Sequence, residues 1–125
     1  MSITTFAEET FPEEGSRTIK IDFEDEDGDS VTPNTGTIQY TLTNKPDSFD
    51  TTPTVINSRE NVDVASASTI YITLSGDDLA LLSTETDEAF VERVLLLEYE
   101  YNSSYGNNLK AKAQYIFTIE NLYSV

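Results

Sequence analysis

Carboxylates are the only side chains in this sequence numerous enough to suggest chemistry, and they gather at two places. One is the run Asp25-Glu26-Asp27-Gly28-Asp29; the other is Asp77-Asp78, just after Ser75-Gly76. Acids packed into a turn can collect a hard cation such as calcium, and a carboxylate pair can divide general acid–base work. Neither group completes its pattern. With Gly28 placed as the invariant glycine of an EF-hand loop, Asp25 and Asp27 fall on ligand positions. The first and last ligand positions, however, are taken by Phe23 and Asn34, which cannot serve there. A solvated turn in which Gly28 supplies the positive φ accounts for the run. Asp77 and Asp78 stand where the first turn of a helix attracts acids, and Ser75 precedes Asp78 at capping-box spacing. No catalytic residue, metal ligand or cofactor is assigned to the chain.

What is missing narrows the chemistry further. The sequence has no histidine and no cysteine. Serine triads, histidine-based nucleases, thiolate nucleophiles, disulfides and the usual zinc, copper and iron sites are therefore excluded. A hydrolase working with carboxylates alone survives only as a remote option, and no glycine-rich phosphate loop is present. The 23 acidic and 7 basic residues give a net charge of −16. Such a surface repels phosphate backbones, so no nucleic-acid partner is expected. An acidic surface also suits a saline environment. Met1–Phe6 has neither the basic nor the apolar region of a secretory signal, and no apolar run is long enough for a membrane span. The expectation is synthesis in a cytoplasm and no membrane partner.

The elements that must position these residues are strands. At 125 residues the chain fits one domain with a genuine core. Residues 1–16 read as an acidic arm or an edge strand, and 17–125 as the main domain. In Arg17–Phe23, Ile19, Ile21 and Phe23 alternate with Thr18, Lys20 and Asp22; in Thr37–Thr43, Ile38, Tyr40 and Leu42 alternate with polar residues. Asn44–Pro53 is a connector. Val55-Ile56 suggests a short edge strand, and Val62–Val64 and Thr69–Leu74 a further strand region. Ser75–Leu82 predicts a short helical corner whose leucines plug the core, and Ser83–Glu88 a polar loop.

Glu92–Tyr101 and Lys110–Leu122 form the longest alternating pair. Val91, Leu95, Leu97, Tyr99 and Tyr101 share one parity, matched by Ala111, Ala113, Tyr115, Phe117 and Ile119. Asn102–Leu109 reads as a long hairpin loop between them. A register in which partner numbers sum to 212 sets Leu97 opposite Tyr115 and Glu100 opposite Lys112. A sum of 210 pairs Glu98 with Lys112 and Glu100 with Lys110, and remains open. Such strands at short spacing, with one helical corner before the penultimate strand, predict an all-β fold. It is an immunoglobulin-like or fibronectin-like β-sandwich of about seven strands.

Two features exceed what folding requires. Val94, Leu96 and Ile116 lie on the solvent parity, where either a neighbouring segment covers them or they form an apolar patch for a protein partner. Tyr105 sits among Asn, Ser and Gly in a loop with the composition of a recognition tip. Val94, Leu96, Ile116 and Tyr105 are the candidate protein-interface residues.

Several segments carry a family likeness: Ile19–Phe23 with its acid-Gly turn and Val31-Thr32-Pro33, Val55-Ile56-Asn57-Ser58-Arg59-Glu60, Ile72-Thr73-Leu74-Ser75-Gly76-Asp77-Asp78-Leu79, and Glu92-Arg93-Val94-Leu95-Leu96-Leu97-Glu98-Tyr99. Over most of the chain from residue 17, the pattern is similar to immunoglobulin-like accessory proteins on the heads, tails and fibres of tailed bacteriophages. The resemblance implies a non-enzymatic virion structural protein. It would be present in several copies, homo-oligomeric or ring-like, in contact with other virion structural proteins. The alternative is a carbohydrate- or calcium-dependent adhesion module that uses the acidic turn and the Tyr105 loop.

Overall fold

Alternating β-branched and aromatic residues dictate strands with one buried face, and the described residues form seven of them. The computed structural model describes residues 2–12 by their backbone, and 14–46 and 50–121 in full. In chain order the strands are β1 (Ser2–Pro12), β2 (Ser16–Asp22), β3 (Gln39–Asn44), β4 (Val62–Asp63), β5 (Thr69–Ser75), β6 (Phe90–Ser103) and β7 (Gly106–Glu120). A 3-10 turn, Gly76–Leu79, follows β5. One sheet has the order β1-β7-β6-β3-β4; the other is the pair β2-β5. All pairings are antiparallel except β1 with β7, which is parallel. The protein is an all-β sandwich, with the 3-10 corner between β5 and β6. Among the described residues, no helix is long and apolar enough to cross a membrane.

The core lies between the two sheets. Ile19 and Phe23, with Ile70, Ile72 and Leu74 of β5, face Tyr40, Leu42, Leu95, Leu97, Tyr99 and Phe117 of the larger sheet. Phe23 meets Tyr99 edge-on, with ring centroids 4.7 Å apart at 67°, the geometry that brings a positive ring edge onto a negative face. Leu79 plugs the corner with no exposure, and Leu81 and Leu82 pack partly buried behind it.

The predicted strands stand, with four differences. The hairpin loop is shorter than Asn102–Leu109, because β6 and β7 run on to Ser103 and Gly106 and leave Ser104-Tyr105 as the turn. The register is the 210 one, with Leu95 beside Tyr115, Glu98 beside Lys112 and Glu100 beside Lys110. A bulge next to the turn makes this possible: Asn107 and Asn108 together oppose Asn102, Asn108 takes φ +54°, and its amide donates to Asn102 Oδ1 at 2.8 Å. The helical corner is one 3-10 turn and not an α-helix, since Ala80 returns to extended backbone. Val55 makes only an isolated bridge to Thr43 in place of a strand.

Candidate binding surfaces

Three strands lay their outward residues side by side. The register places Thr43, Val94 and Ile116 in one row across β3, β6 and β7, and Thr41, Leu96 and Gln114 in the next. The sheet pleat turns all six to the face away from the core. Together with Asn44, Lys45, Pro46, Thr51 and Pro53 of the following connector they line a groove of about 490 Å3. Its floor is apolar: Val94 and Leu96 are half-buried and Ile116 is only 7 % exposed. Charge closes both ends. Lys45 Nζ reaches Glu92 at 3.8 Å beyond one row, and Glu98 and Lys112 are register partners beyond the other.

The sequence therefore singled out Val94, Leu96 and Ile116 together, and the structure brings them together. It missed Thr41 and Thr43: their polar parity was read, but the pairing of β3 with β6 that brings them beside Val94 and Leu96 was not. The amino-terminal segment does not lie across this face. β1 extends the sheet in its own plane beside β7, with Phe6 at the register position of Ile116.

Tyr105 is 68 % exposed at the opposite, loop-bearing end of β6 and β7, away from the groove. Its hydroxyl comes within 3.4 Å of Asp27 Oδ1, and Ser103 Oγ within 3.2 Å of Glu26 Oε2, so the hairpin tip leans on the acidic turn. That turn is folded on itself. Asp25 Oδ1 accepts from the amides of Asp27 and Asp29 at 2.9 and 3.0 Å, and Gly28 has φ +81°. Among the described residues no group of acids is arranged to hold a metal ion. Asn34 ties the same end together: its Nδ2 donates to Asn102 Oδ1 at 3.1 Å and to Asn108 Oδ1 at 2.9 Å.

The second acidic candidate is also engaged by internal contacts. Asp78 is 1 % exposed and accepts from Arg59 Nε and Nη2 at 2.8 and 3.1 Å, from Asn57 Nδ2 at 3.0 Å and from the Ser75 amide at 3.2 Å. Burial pushes its carboxyl up, but the Arg59 and Asn57 side chains and the Ser75 amide outweigh burial and hold it below the ordinary value. A carboxylate clamped on four sides has no lone pair directed at a substrate. Asp77 beside it is exposed.

No family model, no curated protein and no solved structure matches the chain.

Proposed function

We propose that this chain is a non-catalytic structural module that docks on another protein through the outer face of the five-stranded sheet. The observation that carries the reading is the groove floored by Val94, Leu96 and Ile116. A half-apolar depression with charged ends on an otherwise strongly acidic surface has the anatomy of a protein contact: an apolar centre inside a polar rim. The net charge of −16 favours solubility before assembly and steers the module toward a less acidic partner.

The setting we propose is the virion of a tailed bacteriophage, in line with the resemblance of the strand and turn segments. The module would sit on a head, connector or tail component, in a copy number set by that component's symmetry. Quantitative mass spectrometry of gradient-purified particles tests this. The chain should be present in a fixed ratio to a shell or tail protein, and its absence from particles rejects the reading. The adhesion alternative draws support from the exposed Tyr105, which leans on Asp27, yet Asp25 Oδ1 in the same turn is already engaged by that turn's own amides.

A further inference from the structure

The two sheets are unequal, and the imbalance leaves a vacancy in the hydrogen-bonding pattern of the smaller one. β2 pairs with β5 on one side and, among the described residues, with no strand on the other. The phase of the ladder follows from its ends, where the Phe23 amide donates to Ser68 O and the Gly76 amide to Gly15 O. In an antiparallel ladder every second pair is bonded, so Arg17, Ile19 and Ile21 turn their backbone groups toward β5. Ser16, Thr18, Lys20 and Asp22 turn theirs outward, along a free edge. The same phase leaves Ser75 outward on β5, where Asp78 takes its amide; among the described residues no side chain takes an outward amide of β2 in this way.

Beside this edge lies a cleft of about 220 Å3. Ile19–Asp22 form one wall, and Leu95, Leu97, Ala113, Gln114 and Tyr115 of β6 and β7 form the other. Ile21, Ala113 and Tyr115 are only partly buried there, although their faces point into the sandwich. An open backbone row beside an apolar cleft is matched by one kind of ligand: an extended strand with apolar side chains at alternate positions. Its backbone would complete the ladder, and its inward side chains would fill the cleft.

We infer that β2 accepts a β-strand donated by a different polypeptide, extending the smaller sheet to three strands over β7. A second copy of this chain is the poorer donor, since each copy carries −16. Lys20 and Asp22, which bridge each other at 3.9 Å, are both more than half exposed on the outer face. They deter non-specific pairing without obstructing the cleft. The cleft shares only Gln114 with the outer groove of the larger sheet, and strand pairing at β2 is tested without reference to that groove.

The test uses the full chain carrying, through a long Gly/Ser linker at its C-terminus, a strand of alternating Val and Thr. Tethering raises the local concentration of the strand to roughly the millimolar range. Amide hydrogen exchange followed by NMR should slow by about tenfold or more at Thr18, Lys20 and Asp22. The amides of Ile19 and Ile21, already bonded to β5, serve as the internal measure of folding. A tether with Pro at alternate positions should abolish the protection. Unchanged exchange at the three outward amides, protection of Tyr71 and Thr73 instead, or survival of the effect with the proline tether would each overturn the inference.

Discussion

The guanidinium of Arg93, with no solvent exposure, meets the carboxylate of Glu85 through two hydrogen bonds, at 2.6 and 2.8 Å. Arg93 lies on the core parity of β6, between Asn44 of β3 and Phe117 of β7. Its remaining donors reach the carbonyls of Ala80 and Glu92 at 3.2 and 3.1 Å, while Nε is buried without a partner among the described residues. Glu85 also accepts from the Leu82 amide at 2.8 Å. The pair thus fastens the loop after the 3-10 corner to the central strand of the larger sheet.

Removing one member of such a pair strands the other charge in low dielectric. Glu85→Ala should lower stability by roughly 3–5 kcal/mol, read as a fall in the urea midpoint. The double variant Arg93→Met/Glu85→Leu, which leaves no charge behind, should recover most of that loss. A double variant as unstable as the single one would show that loop geometry, and not the unpaired charge, sets the cost.

Acid should attack the fold through the same two clamps. Burial pushes Glu85 up, but Arg93 and the Leu82 amide outweigh it and hold the carboxyl below its ordinary value, as Arg59 and its companions do for Asp78. Because both folded-state values are depressed, the unfolded chain binds more protons in the intervening range. The stabilisation is complete above the unfolded carboxylate values of about 4 and is lost as pH falls through the lower folded values. Urea midpoints should stay level from about pH 7 to 5 and drop below about pH 4, with a shallower drop in Asp78→Asn. A midpoint that holds level into strong acid contradicts the assignment.

At the groove, Leu96→Glu should leave a folded, soluble protein with stability within about 1 kcal/mol of the parent. The reason is that Leu96 is only half-buried and faces away from the core. Incorporation of the variant into particles should fall away. Normal incorporation would move the contact elsewhere, and loss of cooperative unfolding would make Leu96 part of the core.

Asn34 should matter more than a loop residue usually does. Asn34→Ala removes two side-chain bonds to the β6–β7 hairpin, at a cost of roughly 1–2 kcal/mol. Exchange should accelerate at the Asn108 amide beyond the global change. If exchange there tracks overall stability alone, the Asn34 tie is not local.

Most of the strand pattern was legible because period-two alternation survives in a single sequence. Ile19, Tyr40, Leu95 and Phe117 were all placed on the core side from parity alone, and all are buried. The register was not legible in the same way. Both candidate sums kept charge opposite charge, and the decision lay in the Asn107-Asn108 bulge, which depends on φ +54° at Asn108. Arg93 was invisible as a core residue because its type contradicts its parity, and only a distant Glu85 makes its burial tolerable. Asp78 was correctly placed at a cap, but its partner Arg59 lies 19 residues away, beyond any local pattern. The groove was read halfway: its apolar floor stood out against polar neighbours, while its threonine wall on β3 looked like ordinary solvent-facing strand.

The parallel pairing of β1 with β7 has a mechanical consequence. The register runs from Ser2 beside Lys112 to Pro12 beside Glu120, so Ser2 and Glu120 lie at opposite ends of one ladder. Tension applied between those two residues acts along the strands and loads the rungs together in shear. Tension between Pro12 and Glu120, at the same end, would peel the rungs apart in turn. Force spectroscopy with handles at these positions should show a higher rupture force for the first geometry than for the second. Under load, the direction of pull decides how firmly this edge of the sheet holds.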